Sequence, residues 1–331
     1  MNFCDNFSFE KLLGAGGFAE IYKGIIPQAN GYGLKEQTVA IKVQKPDVEQ
    51  QKIEVQKLQF TNWLSKFDHP NIIKMVGYCF TDARTCLVLE YAVRGKLTDH
   101  IADLDWSTTL NIIKKLGKAI QYIHSLLGGC LHGDIKSDNV LLMEDNEPKL
   151  CDFGTMMHEG ESTVLVMTPG YLNPAALNRP GGKRLQDDDV YSFAVIILQM
   201  ILKSSEPMKS DPEENSDISL SHWAFKVYGE EGSFVSERLM NSGCSEESVK
   251  RISDLVREVI KPPEKAPNVM ETIWQDLHLQ AATAHGNWGE EGIGQFEDYS
   301  EPDMDDFPTE GSPKSPPTIF EILRMLDNVE S

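Results

Sequence analysis

The stretch LHGDIKSDNVLL, residues 131–142, and the KLCDFG that follows at 149–154 decide how this chain is read. The first places Asp134, Lys136 and Asn139 within six residues, just ahead of a short apolar strand around 140–143. The second sets Asp152 before Phe-Gly at the end of another short strand, 149–151. Working outward, the residues ahead of His132 form a long helix from Trp106, with Leu110, Ile113, Leu116, Gly117, Ile120 and Ile123 on one face. Further upstream, VAIK (39–42) is a β-branched strand ending in Lys42, a cation with the reach to meet phosphates. Before it stands the glycine cluster LGAGGFAEIYKG, 13–24. Glycines let backbone amides approach a phosphate closely, although a glycine-rich turn alone also reads as an ordinary hairpin. Four motifs in this order, each in its expected setting, form a specific combination.

Composition is permissive. The 331 residues are 40% apolar and 25% charged, an ordinary globular mixture with room for two lobes. The net charge of −20 argues against nucleic acid or an anionic membrane surface as main partner. The most apolar run, 193–202, is short and carries Gln199, so no transmembrane segment is expected, and the N-terminus lacks a signal-peptide pattern. Six cysteines without a CxxC pair point to reduced thiols. The first ninety residues read as strands (9–26, 38–43, 76–80, 85–91) with one helix over 50–66. Further helices are expected over 189–202, 245–260 and 319–326.

On its four motifs the sequence resembles the eukaryotic protein kinase family over nearly the whole chain. FSFEKLLGAGGFAEIYKG and LVLEYAVRGKL look most like plant receptor-like cytoplasmic kinases and their Pelle-type serine/threonine relatives. The resemblance implies an α+β, bilobal protein-kinase-like fold with a β-rich N-lobe (1–91) and an α-helical C-lobe (92–261). An acidic insertion (262–315) and a final helix (316–331) would follow. It implies ATP and Mg²⁺ as cofactors and phosphotransfer to serine or threonine of a protein substrate. An upstream receptor or signalling partner is expected, with a cytoplasmic location or one at the plasma membrane through a partner. Leu13, Gly14, Ala15, Gly16, Gly17, Phe18, Ala19, Glu20 and Ile21 would cover the nucleotide, with Ala19 where the family has a third glycine. Lys42 would contact the α- and β-phosphates. Leu89 falls at the gatekeeper position, Glu90 to Ala92 at the hinge, and Ala40 and Leu141 are further members of the ATP site. Asp134 would be the catalytic base, with Lys136 stabilising the transferring group and Thr168 fixing Asp134. Asn139 and Asp152 would hold the magnesium ions as oxygen ligands. Asp189 would brace the catalytic loop, His132 is read as a packing residue, and Cys151 as a small apolar filler.

Three departures matter. Gly133 replaces the arginine that in the family pairs with a phosphorylated activation segment, so phosphorylation at Ser162 or Thr163 is not expected to be a simple switch. An ungapped alignment puts Phe60 where a glutamate should pair with Lys42, and Glu54 lies about 120° off that helix face. That leaves three alternatives: a reset helix, substitution by an acid such as Asp152, or impaired activity. Ala175 and Pro316 replace both ends of a buried ion pair, which reads as one compensated change. Eleven of the acidic residues lie in 266–313, a window without Lys or Arg; a helical start at 268–279 and then a solvated spacer are expected there. The rival to an active kinase is a pseudokinase, a nucleotide-binding or allosteric module with little transfer.

Overall fold

The computed structural model describes residues 11–16, 19–28, 33–45, 66–80, 85–126, 128–162, 168–211, 216–229, 232–261 and 318–327. Outside them lie most of the helix expected over 50–66, with Glu54 and Phe60, and the loop residues Gly17 and Phe18. Thr163, the whole expected insertion 262–315 and Pro316 also fall outside.

The chain opens with five antiparallel strands: β1 (Lys11–Ala15), β2 (Ala19–Ile26), β3 (Gln37–Gln44), β4 (Met75–Phe80) and β5 (Thr85–Glu90). They lie in the order β1-β2-β3-β5-β4. The two-residue period of a strand sorts β3. Val39 and Ile41 enter an apolar cluster with Ile26, Cys79, Cys86 and Val88, which turns Ala40 and Lys42 to the opposite face. On that face Lys42 pairs directly with Ile21, and Ala40 with Leu89. Four residues expected at the nucleotide thus share one side of the sheet.

The second lobe is helical: α1 (Trp106–His124), α2 (Gln186–Leu202), α3 (Leu220–Tyr228), α4 (Glu237–Met240), α5 (Glu246–Ile260) and α6 (Ile319–Asp327). The Asp105 carboxylate caps α1 by accepting from the Thr108 amide at 2.8 Å, and Ser245 caps α5 in the same way. Residues Val190 to Ile201 of α2 are all buried, the position expected for a helix apolar on every side. Each large apolar side chain there contributes about 1.5–3 kcal/mol of burial. A Cβ at Gly117 of α1 would stand 2.7 Å from Leu323 of α6 and 3.4 Å from the Phe193 ring of α2, so glycine permits three helices to meet.

Short strands frame the loops between α1 and α2. β6 (Gly95–Lys96), β8 (Val140–Leu142) and β9 (Pro148–Leu150) make one sheet, and β7 (Cys130–Leu131) pairs with β10 (Met157–His158). The architecture is therefore α+β, a β-sheet lobe followed by a helical one. Elements not foreseen are the hairpin β11 (Met208–Asp211) and β12 (Ser216–Ser219), with α3 directly after it. One expectation is corrected at Cys79, which is disulfide-bonded, while Cys130, Cys151 and Cys244 carry free thiols. Disulfide pairing depends on approach in space, which sequence spacing does not show.

Candidate active site

Residues 132–139 connect β7 to β8, and residues 151–156 connect β9 to β10, so the two sheets present both loops side by side. The Cys151 amide donates to the Asn139 carbonyl at 2.9 Å, stitching one loop to the other. Within this frame Asp134 is the hub. Its Oδ1 accepts from the Thr168 hydroxyl at 2.8 Å, and its Oδ2 meets Lys136 Nζ at 2.7 Å and Asn139 Nδ2 at 3.0 Å. Lys136 also donates to Thr168 Oγ1 at 2.9 Å. Four residues singled out in the sequence are thereby brought together.

Across the lobes, Lys42 Nζ donates to Asp152 Oδ1 at 2.7 Å. Among the described residues Lys42 is paired with Asp152; Glu54, the other acid considered for it, lies outside them. Burial pushes the Asp152 carboxyl up, but the charge and hydrogen bond of the Lys42 ammonium, with Lys136, outweigh it and hold the pKa below the ordinary carboxylate value. Asp152 has φ +63°, a left-handed backbone rare for a residue with a Cβ. The next side chain holds it there. Phe153 is buried, with ring centroids 5.1 Å from Phe67 and 4.9 Å from His132.

His132 is itself fully buried. Its Nε2 lies 3.0 Å from the Cys151 carbonyl and its Nδ1 3.3 Å from the Asp134 amide. A neutral ring protonated on Nε2 satisfies both contacts, so the packing reading fits. Burial, with the neighbouring Asp152, pushes the Cys151 thiol up to about 12, which leaves it protonated and inert.

The Asp189 carboxylate accepts from the amides of His132 at 2.7 Å and Gly133 at 2.9 Å, and from His124 Nε2 at 3.1 Å. It fixes the backbone that carries Asp134. Gly133 has φ +82°, and a Cβ there would stand 2.7 Å from the Thr155 carbonyl oxygen. The loop as built therefore requires glycine. We predict that Gly133→Arg, which restores the family residue, destabilises the protein by about 1–3 kcal/mol through backbone strain, before the clash is added. Calorimetry checks this, and an unchanged Tm would show that the loop moves away from Thr155 freely.

The remaining expected ATP residues are spread along β1, β2, β3, β5 and β8 and the segment after β5. The β1–β2 hairpin turns through Gly16, whose amide donates to the Ala19 carbonyl at 2.8 Å, and Ala15 pairs with Glu20. A Cβ at Gly14 would meet nothing within 4 Å. Leu13 and Ile21 are exposed large apolar side chains of that hairpin. Leu141 is turned opposite to the buried Val140 and Leu142. Ala92 is buried, and the Glu90 side chain is held by Lys149 at 2.9 Å and by the Lys74 amide at 2.8 Å.

The donor set fits a hard divalent cation. Asn139 Nδ2 is used by Asp134 at its carbonyl and its carboxylate, which leaves Oδ1 as the uncommitted end among the described residues. Asp152 keeps Oδ2 in the same way. Two oxygen ligands, with water and phosphate completing the shell, suit Mg²⁺. Sequence reasoning missed the supports around this cluster. Tyr171 OH donates to Gln199 Oε1 at 2.8 Å and lies 2.9 Å from Ser137 Oγ, and Thr155 Oγ1 donates to the His132 carbonyl at 3.0 Å. Ala175, expected in a buried corner, is exposed in the short helical turn Pro174–Asn178. A glutamate at 175 would reach water, so this position is not the buried end of an ion pair.

Comparison with known proteins gives a consistent picture. The family described as the protein kinase domain matches residues 7–274. Serine/threonine-protein kinase PBL13 of Arabidopsis thaliana is 30% identical over 291 residues, 82% of this chain and 57% of that protein. Serine/threonine-protein kinase PBL34 of the same plant is 36% identical over 236 residues, 66% of this chain and 46% of its own length. The EPD1-interacting receptor-like cytoplasmic serine/threonine-protein kinase of Nicotiana benthamiana is 28% identical over 284 residues, 82% of this chain and 60% of that one. The chain thus spans 46% to 60% of these relatives.

Proposed function

Because this chain belongs to the protein kinase family, whose domain uses ATP and a divalent metal, we propose that it transfers the ATP γ-phosphoryl group to serine or threonine of a protein substrate. The observation that carries this is the Asp134 carboxylate, held on both oxygens by Thr168, Lys136 and Asn139. The substrate hydroxyl attacks phosphorus, its proton passes to Asp134, and the bond to the bridging oxygen of ADP breaks. Thr168 keeps Asp134 aimed, and Lys136 lies within 2.9 Å of both, where its ammonium offsets charge on the transferring group. Lys42 binds the α- and β-phosphates, and Ile21, Ala40, Leu89, Ala92 and Leu141 enclose the base. Asn139 and Asp152 hold Mg²⁺, which when bound neutralises charge on the phosphates.

The names of the relatives support a receptor-linked signalling role in the cytoplasm, with a receptor or signalling protein upstream. No helix among the described residues is long and apolar enough to cross a membrane. We assign residues 1–91 to the N-lobe, 92–261 with 316–331 to the C-lobe, and 262–315 to an acidic insertion.

Thermal stability with nucleotide tests the binding half of this reading. At 100 times Kd, Mg²⁺-ATP should add about 2.7 kcal/mol to stability, a Tm rise of several degrees. Asp152→Asn should lose the metal-dependent part of that rise. No Mg²⁺-dependent shift, or the same shift in the variant, would refute it.

A further inference from the structure

The first turn of α2 carries a second carboxylate beside Asp189. Asp188 is fully buried, and its partners converge from one stretch of chain. Arg179 Nη1 donates to both of its oxygens at 2.8 Å, Arg184 Nε to Oδ2 at 2.9 Å, Asn173 Nδ2 to Oδ1 at 3.1 Å and the Leu185 amide to Oδ2 at 3.1 Å. Asn173 in turn accepts from the Ala175 amide at 3.0 Å. The turn Pro174–Asn178 is therefore pinned at both ends, by Asn173 and Arg179, to one carboxylate. Further along α2, Ser192 donates to the Tyr171 carbonyl at 2.8 Å and Gln199 accepts from the Tyr171 hydroxyl at 2.8 Å. Positions 188, 192 and 199 share one helix face, so a single stripe of α2 holds residues 171–185.

The pinned segment begins three residues after Thr168, the residue hydrogen-bonded to Asp134. A protein whose hydroxyl reaches Asp134 must pass alongside residues 169–173. We propose that Asp188 is a positioning residue for the protein substrate. Through Arg179, Arg184 and Asn173 it holds residues 168–180 in the shape that admits a serine or threonine to Asp134, without a loop phosphate. The substrate half rests on the phosphotransfer reading above; the ordering half does not. The same logic accounts for Gly133, since a loop anchored by a built-in carboxylate needs no arginine there to read a phosphate.

Arg179→Met, which leaves Asp188 with Arg184 and Asn173, is the informative variant, with Asp188→Ala as the harsher one. Hydrogen exchange followed by mass spectrometry should show residues 168–182 exchanging about tenfold faster, the loss of a hydrogen bond to a charged group, with residues 130–152 unchanged. With casein as acceptor, KM for casein should rise by about the same factor while KM for ATP stays within about twofold, and Arg179→Lys should recover part of the loss. If Asp188→Ala fails to fold, Arg179→Met decides. Unchanged exchange at 168–182, or a rise spread evenly over the lobe, overturns the proposal, as does a loss seen equally in KM for ATP. If the wild-type protein labels no acceptor, the phosphotransfer reading and the substrate role fall together. The exchange result then still decides whether the clamp orders the segment.

Discussion

Asp134→Asn is expected to lower phosphotransfer about 10²–10⁴-fold, the range that a positioned general base supplies. The carboxylate accepts on both oxygens: from Thr168 on Oδ1, and from Lys136 and Asn139 on Oδ2. An asparagine has one acceptor and one donor end. Facing its NH₂ toward Lys136 and Asn139 sets donors against donors, and flipping it sets the NH₂ on the oxygen that now accepts from Thr168. The variant also lacks a base for the substrate proton. Lys42 and Asp152 are untouched, so the affinity for Mg²⁺-ATP should stay within a few-fold of wild type. Initial rates at saturating ATP, with nucleotide Kd measured on the same samples, test both statements. A variant that retains most of the wild-type rate would remove Asp134 from the chemistry.

Asp189→Ala should cause the largest loss of stability. The carboxylate is buried and takes three donors, the His132 and Gly133 amides and the His124 ring. Removing it strands those donors in the core, and breaking a buried pair from one side costs about 3–5 kcal/mol. With about 2.1 cal/mol/K of unfolding entropy per residue, that corresponds for a chain of this size to a Tm lower by roughly 4–7 °C. Asp189→Asn keeps the shape and one acceptor, so its loss should be smaller. The pH dependence carries a second signature. Burial pushes the Asp189 carboxyl up, but the hydrogen bond and charge of His124 outweigh it and set the folded pKa below the ordinary value. A depressed carboxylate stabilises the fold at pH above its unfolded pKa and loses that contribution as pH falls through the folded pKa. In Asp189→Ala this part of the acid sensitivity should vanish. Calorimetry between pH 3 and pH 7, values chosen to span roughly the carboxylate range, reads both effects. A Tm within about a degree of wild type would mean the loop backbone finds other partners.

Much of this arrangement is legible in the sequence because it is local. The α1 face from Leu110 to Ile123, the α5 face from Val249 to Val259 and the alternation in β3 follow from periodicity, and each is buried as its period requires. Asp134, Lys136 and Asn139 lie within six residues, so one loop brings them together. Spatial pairing was harder to read. Lys42 and Asp152 are 110 positions apart, and the sequence left three alternatives for the lysine. In the run Asp187-Asp188-Asp189 only the last residue was assigned, because nothing in the spacing ties Asp188 to Arg179 and Arg184. The corner at Ala175 was misread for the same reason: the anchor of that segment lies at Asn173 and Arg179, on either side of it. The β11–β12 hairpin escaped notice because MKSD and SDIS contain few of the β-branched and aromatic residues that mark strands.

The central claim is that these side chains make a working serine/threonine kinase rather than a nucleotide-binding scaffold. Transfer of label from γ-³²P-ATP to a protein acceptor, followed by phosphoamino-acid analysis, tests it most directly. The structure predicts Mg²⁺-dependent label on phosphoserine or phosphothreonine that disappears in Asp134→Asn. Label on phosphotyrosine alone, or none above the Asp134→Asn background, would contradict it.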